Sequence, residues 1–276
     1  MKFANMGQPN RLWTISTVNG QVENLVALHR AIFDKFQPGD RLVYTGNYLC
    51  GTTRPQETLD EILYFRRTLL ACPGMMPDDF IYLRGVQETL WSKILQLPFA
   101  PDPVEVVTWI THHHPEMNDM FNLYGSSLRD ALRMAREGVM SLTRWTAFLK
   151  AQMRQMPGHN AFFTAQRRAA FTEDAGNDNH AAGNGGILFV HAGINAKRPL
   201  HAQGESLWWP GTIDFNGLEK PYRPFRTVVR GFDPARKGVH IGPVTISLDN
   251  TEDTGNNRVL CAQISGNGHV LELLAA

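Results

Sequence analysis

The first third of the chain alternates short apolar, β-branched runs with segments whose apolar residues recur at helical spacing. A buried strand is predicted at 12–18, and an amphipathic helix follows at 21–36. The same order continues with a strand at 41–45, a helix at 57–70 and a strand at 80–83. Helices that connect successive strands make crossover connections, so this alternation predicts an α/β fold with a mostly parallel sheet.

In sheets of this kind, the residues that carry function lie in the loops after the carboxyl ends of the strands. The loops to inspect are therefore 17–20, 46–52 and 84–88.

The centre of the chain is predicted to be a helical, strand-poor insertion from about 104 to 172, with clear amphipathic stretches at 128–136 and 139–153. A polar loop rich in Gly and Asn follows at 175–186. Strand character then returns at 187–190, 227–229, 244–247, 259–264 and 269–273, with the last two strands predicted to form a hairpin. Without an internal repeat or a long linker, the sequence predicts a single domain over 1–276.

The amino-acid composition argues against several classes of protein. The 27 Lys and Arg residues balance 26 Asp and Glu residues, which disfavours a nucleic-acid-binding protein. The 3 cysteines are scattered at Cys50, Cys72 and Cys261, a pattern typical of a reducing compartment. The first eleven residues have no apolar signal segment, and no apolar run has the length of a membrane span. We therefore expect a cytoplasmic protein.

Five loop sequences follow the predicted strands in a fixed order. They are Thr-Val-Asn-Gly at 17–20, Gly-Asn-Tyr-Leu-Cys-Gly-Thr at 46–52, Arg-Gly-Val-Gln-Glu at 84–88, His-Ala-Gly at 191–193 and Gly-Phe-Asp-Pro at 231–234. Their order and spacing resemble those of the calcineurin-like metallophosphoesterases, in the branch of bacterial serine/threonine protein phosphatases and diadenosine tetraphosphatases. The resemblance runs from about Leu12 to the end of the chain. It implies a four-layer αββα fold, in which two packed sheets are flanked by helices.

The resemblance also implies a centre with two divalent metals, but most of the residues that would hold them are replaced. Family ligands are matched by Thr17 and Asn19 in the first loop, Asn47 in the second, Val86 in the third and Phe232 in the last. Gln87 stands where the family has its catalytic acid, a histidine. Glu88 and Asp233 complete the positions in the pocket, and His191 is the single ligand retained.

These replacements change what the pocket can do. Asn47 stands for the carboxylate that bridges the two metals, and without that charge the repulsion between two dications is uncompensated. Val86 and Phe232 offer no donor atom, and the amide of Gln87 does not titrate near neutral pH. We therefore predict a catalytically degenerate homologue, or pseudoenzyme, without a metal cofactor.

Alternatives remain open for the polar residues of the pocket. Asn19, Arg84, His191 and Arg230 could form an anion site, or Arg84 could pair with Glu88 or Asp233 in a filled pocket. His191 is a weak candidate for a single-metal site with Glu88 and Asp233, and otherwise a histidine that fixes its loop.

Three other features of the sequence can be interpreted either as functional sites or as ordinary structure. The run His112, His113 and His114 is either a metal site or a solvated helix end. Arg129, Arg133 and Arg136 form either a binding surface or a solvated helical face. The aromatic residues Trp208, Trp209 and Tyr222 either line the pocket mouth or pack in the core.

Three functions follow from these observations. The first is an inactive homologue that binds a phosphate-bearing ligand or a protein partner. The second is an active phosphoesterase on phosphoproteins or dinucleoside polyphosphates, with manganese or another divalent metal in an unconventional site. The third is a scaffold for protein interactions alone.

Overall fold

The computed structural model of the protein describes residues 2–173, 185–211, 214–249 and 258–276. The α-helices in these ranges are α1 (Val22–Phe33), α2 (Pro55–Leu70), α3 (Val86–Ile94), α4 (Pro103–His113), α5 (Met117–Leu123), α6 (Leu128–Glu137), α7 (Val139–Gln155) and α8 (His159–Ala165). The strands are β1 (Phe3–Asn5), β2 (Arg11–Ile15), β3 (Arg41–Tyr44), β4 (Phe80–Tyr82), β5 (Ala169–Phe171), β6 (Ile187–Val190), β7 (Thr227–Arg230), β8 (Val239–Ile241), β9 (Thr245–Leu248), β10 (Leu260–Ser265) and β11 (Val270–Ala275).

The strands form two sheets. One has the order β1-β5-β6-β7-β9-β8 and the other the order β11-β10-β2-β3-β4. The inner pairs β6–β7, β7–β9, β2–β3 and β3–β4 are parallel, as the alternation of strands and helices predicts. The pair β10–β11 is antiparallel, which confirms the predicted hairpin.

Both faces of the inner strands are buried, which explains their unbroken apolar sequences. In β6, Ile187 and Phe189 lie in a core cluster shared with Leu12 and Val43 of the other sheet. The alternate residues Leu188 and Val190 lie in a second, larger cluster to which the helices contribute. Two packed sheets with helices on the outside are the architecture predicted from the sequence.

The structure differs from the sequence-based prediction in the short elements. The helical region ends at Ala165, and the predicted insertion 104–172 contains the strand β5 near its end. The strands β1 and β8 were not predicted either. Each of the three has only 3 residues, too few to show a period of two, and long-range pairing determines their conformation. Most of the predicted loop 175–186 lies outside the described residues.

None of the helices in the described ranges is long and apolar enough to span a bilayer.

Candidate functional site

The loops after four parallel strands meet at one place. Nδ1 of His191, which follows β6, lies 2.6 Å from the carbonyl oxygen of Thr45, which follows β3. The backbone N–H of Phe232, after β7, donates to the carbonyl of His191 at 3.0 Å. A side chain on Gly46 would contact both Gly85, after β4, and His191. The structure therefore brings together the loops that the sequence analysis singled out.

The buried side chain of Glu88 links the loop after β3 to the loop after β4. Its carboxylate accepts the backbone N–H groups of Gly85 at 2.8 Å, Asn47 at 3.0 Å and Tyr48 at 3.0 Å. Burial raises the pKa of Glu88, and the three N–H donors oppose that shift because they favour the ionised form. Both oxygens of the carboxylate are engaged by the backbone.

Several residues that the resemblance matches to the family's site, Thr17, Asn19, Asn47 and Gln87, take part in hydrogen bonds between neutral groups. Oδ1 of Asn47 accepts the backbone N–H of Gln87 at 3.2 Å. The side-chain oxygen of Gln87 accepts the N–H of Cys50 at 3.1 Å, and its amide nitrogen lies 3.5 Å from Oδ1 of Asn19. Asn19 in turn donates to Oγ1 of Thr17 at 3.2 Å. The side-chain oxygens of Asn47 and Gln87 are thus engaged by backbone N–H groups of the same site.

Asn19 and Asn47 also fit their backbone positions. Their φ angles are +46° and +54°, in the left-handed region that asparagine tolerates better than most residues. The turns after β2 and β3 therefore keep their shape without a carboxylate.

His191 is fully buried and neutral. Because a carbonyl can only accept, Nδ1 must donate to Thr45, which leaves Nε2 as the unprotonated nitrogen. Burial lowers the pKa of His191 to about 4. Nε2 has no hydrogen-bond partner among the described residues. The ring of Phe232 stacks on the imidazole, with centroids 5.3 Å apart and planes inclined by 12°.

The residues present do not fit a two-metal centre. Oδ1 of Asn47 and both oxygens of Glu88 already accept backbone hydrogen bonds. Of the residues that the structure describes, His191 alone brings an imidazole lone pair, on Nε2, to the site, and Phe232 covers that ring. Within the described ranges, no group of three or more His, Cys, Asp or Glu side chains is arranged to hold a metal ion. No step of chemistry can be assigned to a metal at this site.

Arg84 lies in the loop after β4, directly before α3, and its side chain is half-buried. Burial lowers its pKa, the carboxylate of Glu88 opposes that shift, and Arg168 adds to it. Its backbone is fixed because Nε1 of Trp208 donates to the Arg84 carbonyl at 2.6 Å. Within the described residues, the Arg84 side chain makes no hydrogen bond or ion pair, so the pairings with Glu88 or Asp233 considered from the sequence are not formed.

Arg230, by contrast, is bound within the protein. It pairs with Asp233 at 2.7 Å and donates to Ser247 at 3.0 Å and to the carbonyl of Ala192 at 3.2 Å. Its guanidinium also lies 4.3 Å from the centre of the Phe215 ring. These contacts leave Arg230 and Asp233 as structural supports of the loop after β7, outside an anion site.

The remaining candidate residues lie at a solvated helix end, on exposed helical faces or in the core. His112 and His113 are exposed at the end of α4, and each contacts a carbonyl one turn earlier. Arg133 pairs with Asp130 and Glu137 on the exposed face of α6. Trp208 and Tyr222 are buried, as the packing interpretation predicts.

Two residues at the site had no signal in the sequence. Thr45 supplies the carbonyl that fixes the tautomer of His191. Arg168 places a second cation near Arg84, with its guanidinium 5.0 Å from the centre of the Trp208 ring. Only the position of Thr45, at the end of a predicted strand, could have drawn attention to it.

No family model and no curated protein matches this sequence. Solved structures do match. A candidate diadenosine tetraphosphatase superposes with a TM-score of 0.55 at 14% identity, covering 100% of this chain and 97% of the other. A Saccharomyces cerevisiae serine/threonine phosphatase with similarity to human PP5 gives 0.51 at 12% identity, covering 100% and 82%.

A cold-active protein tyrosine phosphatase also matches, with a TM-score of 0.52 at 12% identity, covering 100% of this chain and 80% of the other. Identities this low show the fold and nothing finer. Together with the two packed sheets, these similarities show that the chain has the metallophosphoesterase fold.

Proposed function

We propose that the chain is a catalytically inactive phosphoesterase homologue whose retained pocket rim binds a phosphate-bearing ligand. The observation that supports inactivity most directly is the state of Asn47. Its side chain is uncharged, and its one oxygen capable of binding a metal accepts the Gln87 N–H at 3.2 Å. Without a bridging carboxylate, two dications have nothing to offset their repulsion.

The residues at two of the family's proton-transfer and metal-ligand positions, Gln87 and His191, support the same conclusion. Gln87 carries an amide in place of the acid that protonates a leaving group in the family. His191 is neutral near pH 7, because burial lowers its pKa to about 4, and its ring lies under Phe232. The pocket is left without a metal-activated water and without a general acid.

The ligand-binding part of the proposal depends on Arg84. A half-buried guanidinium that has no hydrogen-bond or ion-pair partner among the described residues, close to a second cation at Arg168, is suited to an anion. Because the pocket behind it is closed by its own hydrogen bonds, the ligand would contact the rim through a terminal phosphate.

The test for activity uses the purified protein with Mn²⁺ and, separately, p-nitrophenyl phosphate, a phosphopeptide and diadenosine tetraphosphate. We expect no turnover above the protein-free rate and no tightly bound metal by elemental analysis. Turnover that disappears in both His191→Ala and Asn47→Ala, or about one tightly bound metal per chain, would overturn the proposal. Turnover that neither substitution changes would arise outside this pocket, and such a result would agree with the proposal.

The test for binding is a titration with inorganic phosphate at low ionic strength. Arg84→Gln should weaken binding about tenfold or more, because it removes a charge-assisted contact. Arg129→Gln, an exposed arginine on α6, is the matched control and should leave the affinity unchanged. Equal weakening by both variants would show that only general charge matters.

A further inference from the structure

A second concave site lies away from the pocket described above. It is a cleft of about 750 Å³ between the loop at 196–199 and the loop at 217–223. None of its residues is one of the positions that match the family's metal ligands or catalytic acid. It therefore has to be explained by its own chemistry.

The cleft is strongly positive. Lys197, Arg198, Lys220 and Arg223 line it, against the single carboxylate of Glu219. All four cations are exposed, and none makes an ion pair with a described residue. The whole chain has a net charge of only +1, so this surplus is local. A concave surface with unpaired cations focuses potential and attracts anions.

The two walls of the cleft are fixed to each other. Tyr222, from one wall, donates its hydroxyl to the carbonyl of Arg198 in the other at 2.7 Å. Gln203 is completely buried, and its amide nitrogen lies 2.8 to 2.9 Å from the carbonyl oxygens of Asn195 and Arg198 and from the Tyr222 oxygen, which share its two N–H donors. The backbone that carries the cations is thus held in place before any ligand binds, which lowers the cost of ordering it.

The size of the cleft favours a compact ligand. A volume of about 750 Å³ falls within the range of small-molecule sites, and a cube of that volume is about 9 Å on a side. An extended peptide advances about 3.4 Å per residue, so only about three residues of an acidic segment would fit. A polyphosphate chain concentrates several negative charges within that length.

From the cleft, its four unpaired cations and its fixed walls, we propose a binding site for a polyphosphate chain, free or carried by a nucleotide. Arginine offers paired donors to phosphate oxygens, and lysine adds a compact point charge. This site does not depend on Arg84 or on the catalytic state of the other pocket.

The experiment is a calorimetric titration of the full chain with tripolyphosphate, ATP and adenosine at low ionic strength. We expect tripolyphosphate and ATP to bind, with ATP at least as tight, and adenosine not to bind. The double variant Lys197→Gln/Arg198→Gln should weaken tripolyphosphate binding at least about tenfold, because two charge-assisted contacts are lost. Glu219→Gln should strengthen it, because the only carboxylate in the cleft is removed.

The matched control is Arg129→Gln/Arg136→Gln, which removes the same charge from the exposed face of α6. It should leave the affinity unchanged. Equal weakening by the control and cleft variants would overturn the proposal, and so would an absence of tripolyphosphate binding to the wild-type chain. Loss of tripolyphosphate binding in Arg84→Gln, with the cleft variant unaffected, would assign the binding to the other pocket. Tighter binding of a glutamate hexapeptide than of tripolyphosphate would replace the proposed ligand with an acidic protein segment.

Discussion

At the scale of single residues, His191 shows how a potential metal ligand becomes part of the core. Its Nδ1 is held by the Thr45 carbonyl, and Phe232 covers its ring. An imidazole in this environment is stable only while it is neutral, because protonation would place a charge in a dry site. The stability of the protein is therefore linked to pH through this residue.

We expect the free energy of unfolding to fall as the pH is lowered from about 6.5 to about 4. In this window the unfolded histidine, with a pKa near 6.5, binds a proton, while the folded His191 stays neutral until about pH 4. The difference corresponds to at most about 3 kcal/mol. Urea unfolding from pH 7 to pH 4 would measure it.

The variant His191→Asn keeps a donor for Thr45 and should lose this part of the pH dependence. His112→Asn, at an exposed position, should show the same change in the free energy of unfolding with pH as the wild-type protein. The buried His29 and His159, whose pKa values are also lowered by burial, act equally in both variants. Parallel pH profiles for wild type and His191→Asn would contradict the buried neutral state.

At the scale of elements, the site is an assembly of strand-end loops tied by one carboxylate. Glu88 lies in the first turn of α3, so it accepts the N–H of Gly85 at the start of that helix. The same carboxylate reaches the loop after β3 through Asn47 and Tyr48. The ends of two parallel strands are thus coupled through a helix N-terminus.

Glu88→Gln should lower the stability by about 2–4 kcal/mol, since an amide cannot accept on both sides and leaves a buried N–H unsatisfied. Chemical unfolding monitored by circular dichroism would measure the change. Glu205→Gln is the control, because Glu205 forms only an exposed pair with Lys93 and should matter by less than about 1 kcal/mol. A Glu88→Gln protein as stable as wild type would show that the carboxylate does not hold the loops.

Predictability from the sequence also differs between elements. The inner strands were predictable because burial on both faces leaves an unbroken apolar run, and the long helices because burial of one face leaves apolar residues at helical spacing. The strand Ala169–Phe171 was not, since its three residues have no local preference for a strand and pair only through β1 and β6. The loops of the site were located by their place after strands. The role of Glu88 could not be predicted, because its hydrogen-bond partners are distant in the sequence. The role of Arg230 could not be predicted either, because the spacing of residues does not specify its ion pair.

At the scale of the whole molecule, the helical region is continuous with the core. Phe121 of α5 packs edge to face with Trp91 of α3, with ring centroids 5.3 Å apart, and stacks on Trp145 of α7 at 5.9 Å. The same large cluster extends through β2, β3 and β4. The helical region therefore shares its hydrophobic core with the sheet, and we expect the two to unfold together.

Phe121→Ala should destabilise the whole chain by about 3–5 kcal/mol, because it leaves a cavity in a shared cluster. Tryptophan fluorescence and far-ultraviolet circular dichroism should show one coincident transition. Phe148→Ala, at a partly exposed position on α7, should cost less than about 1 kcal/mol. Two separate transitions in the wild-type protein would show instead that the helical region is an independent unit.

The stacking of Phe232 on His191 has a consequence for how such a protein could change. Replacing Phe232 with histidine would uncover the imidazole without supplying the carboxylate missing at position 47. Replacing Asn47 with aspartate would bury a charge close to Glu88 with no metal to neutralise it. We therefore expect each of these substitutions alone to lower the stability without completing a metal site. Building a two-metal centre at this place would therefore take several substitutions at once, because each one alone leaves the other ligands and the charge balance incomplete.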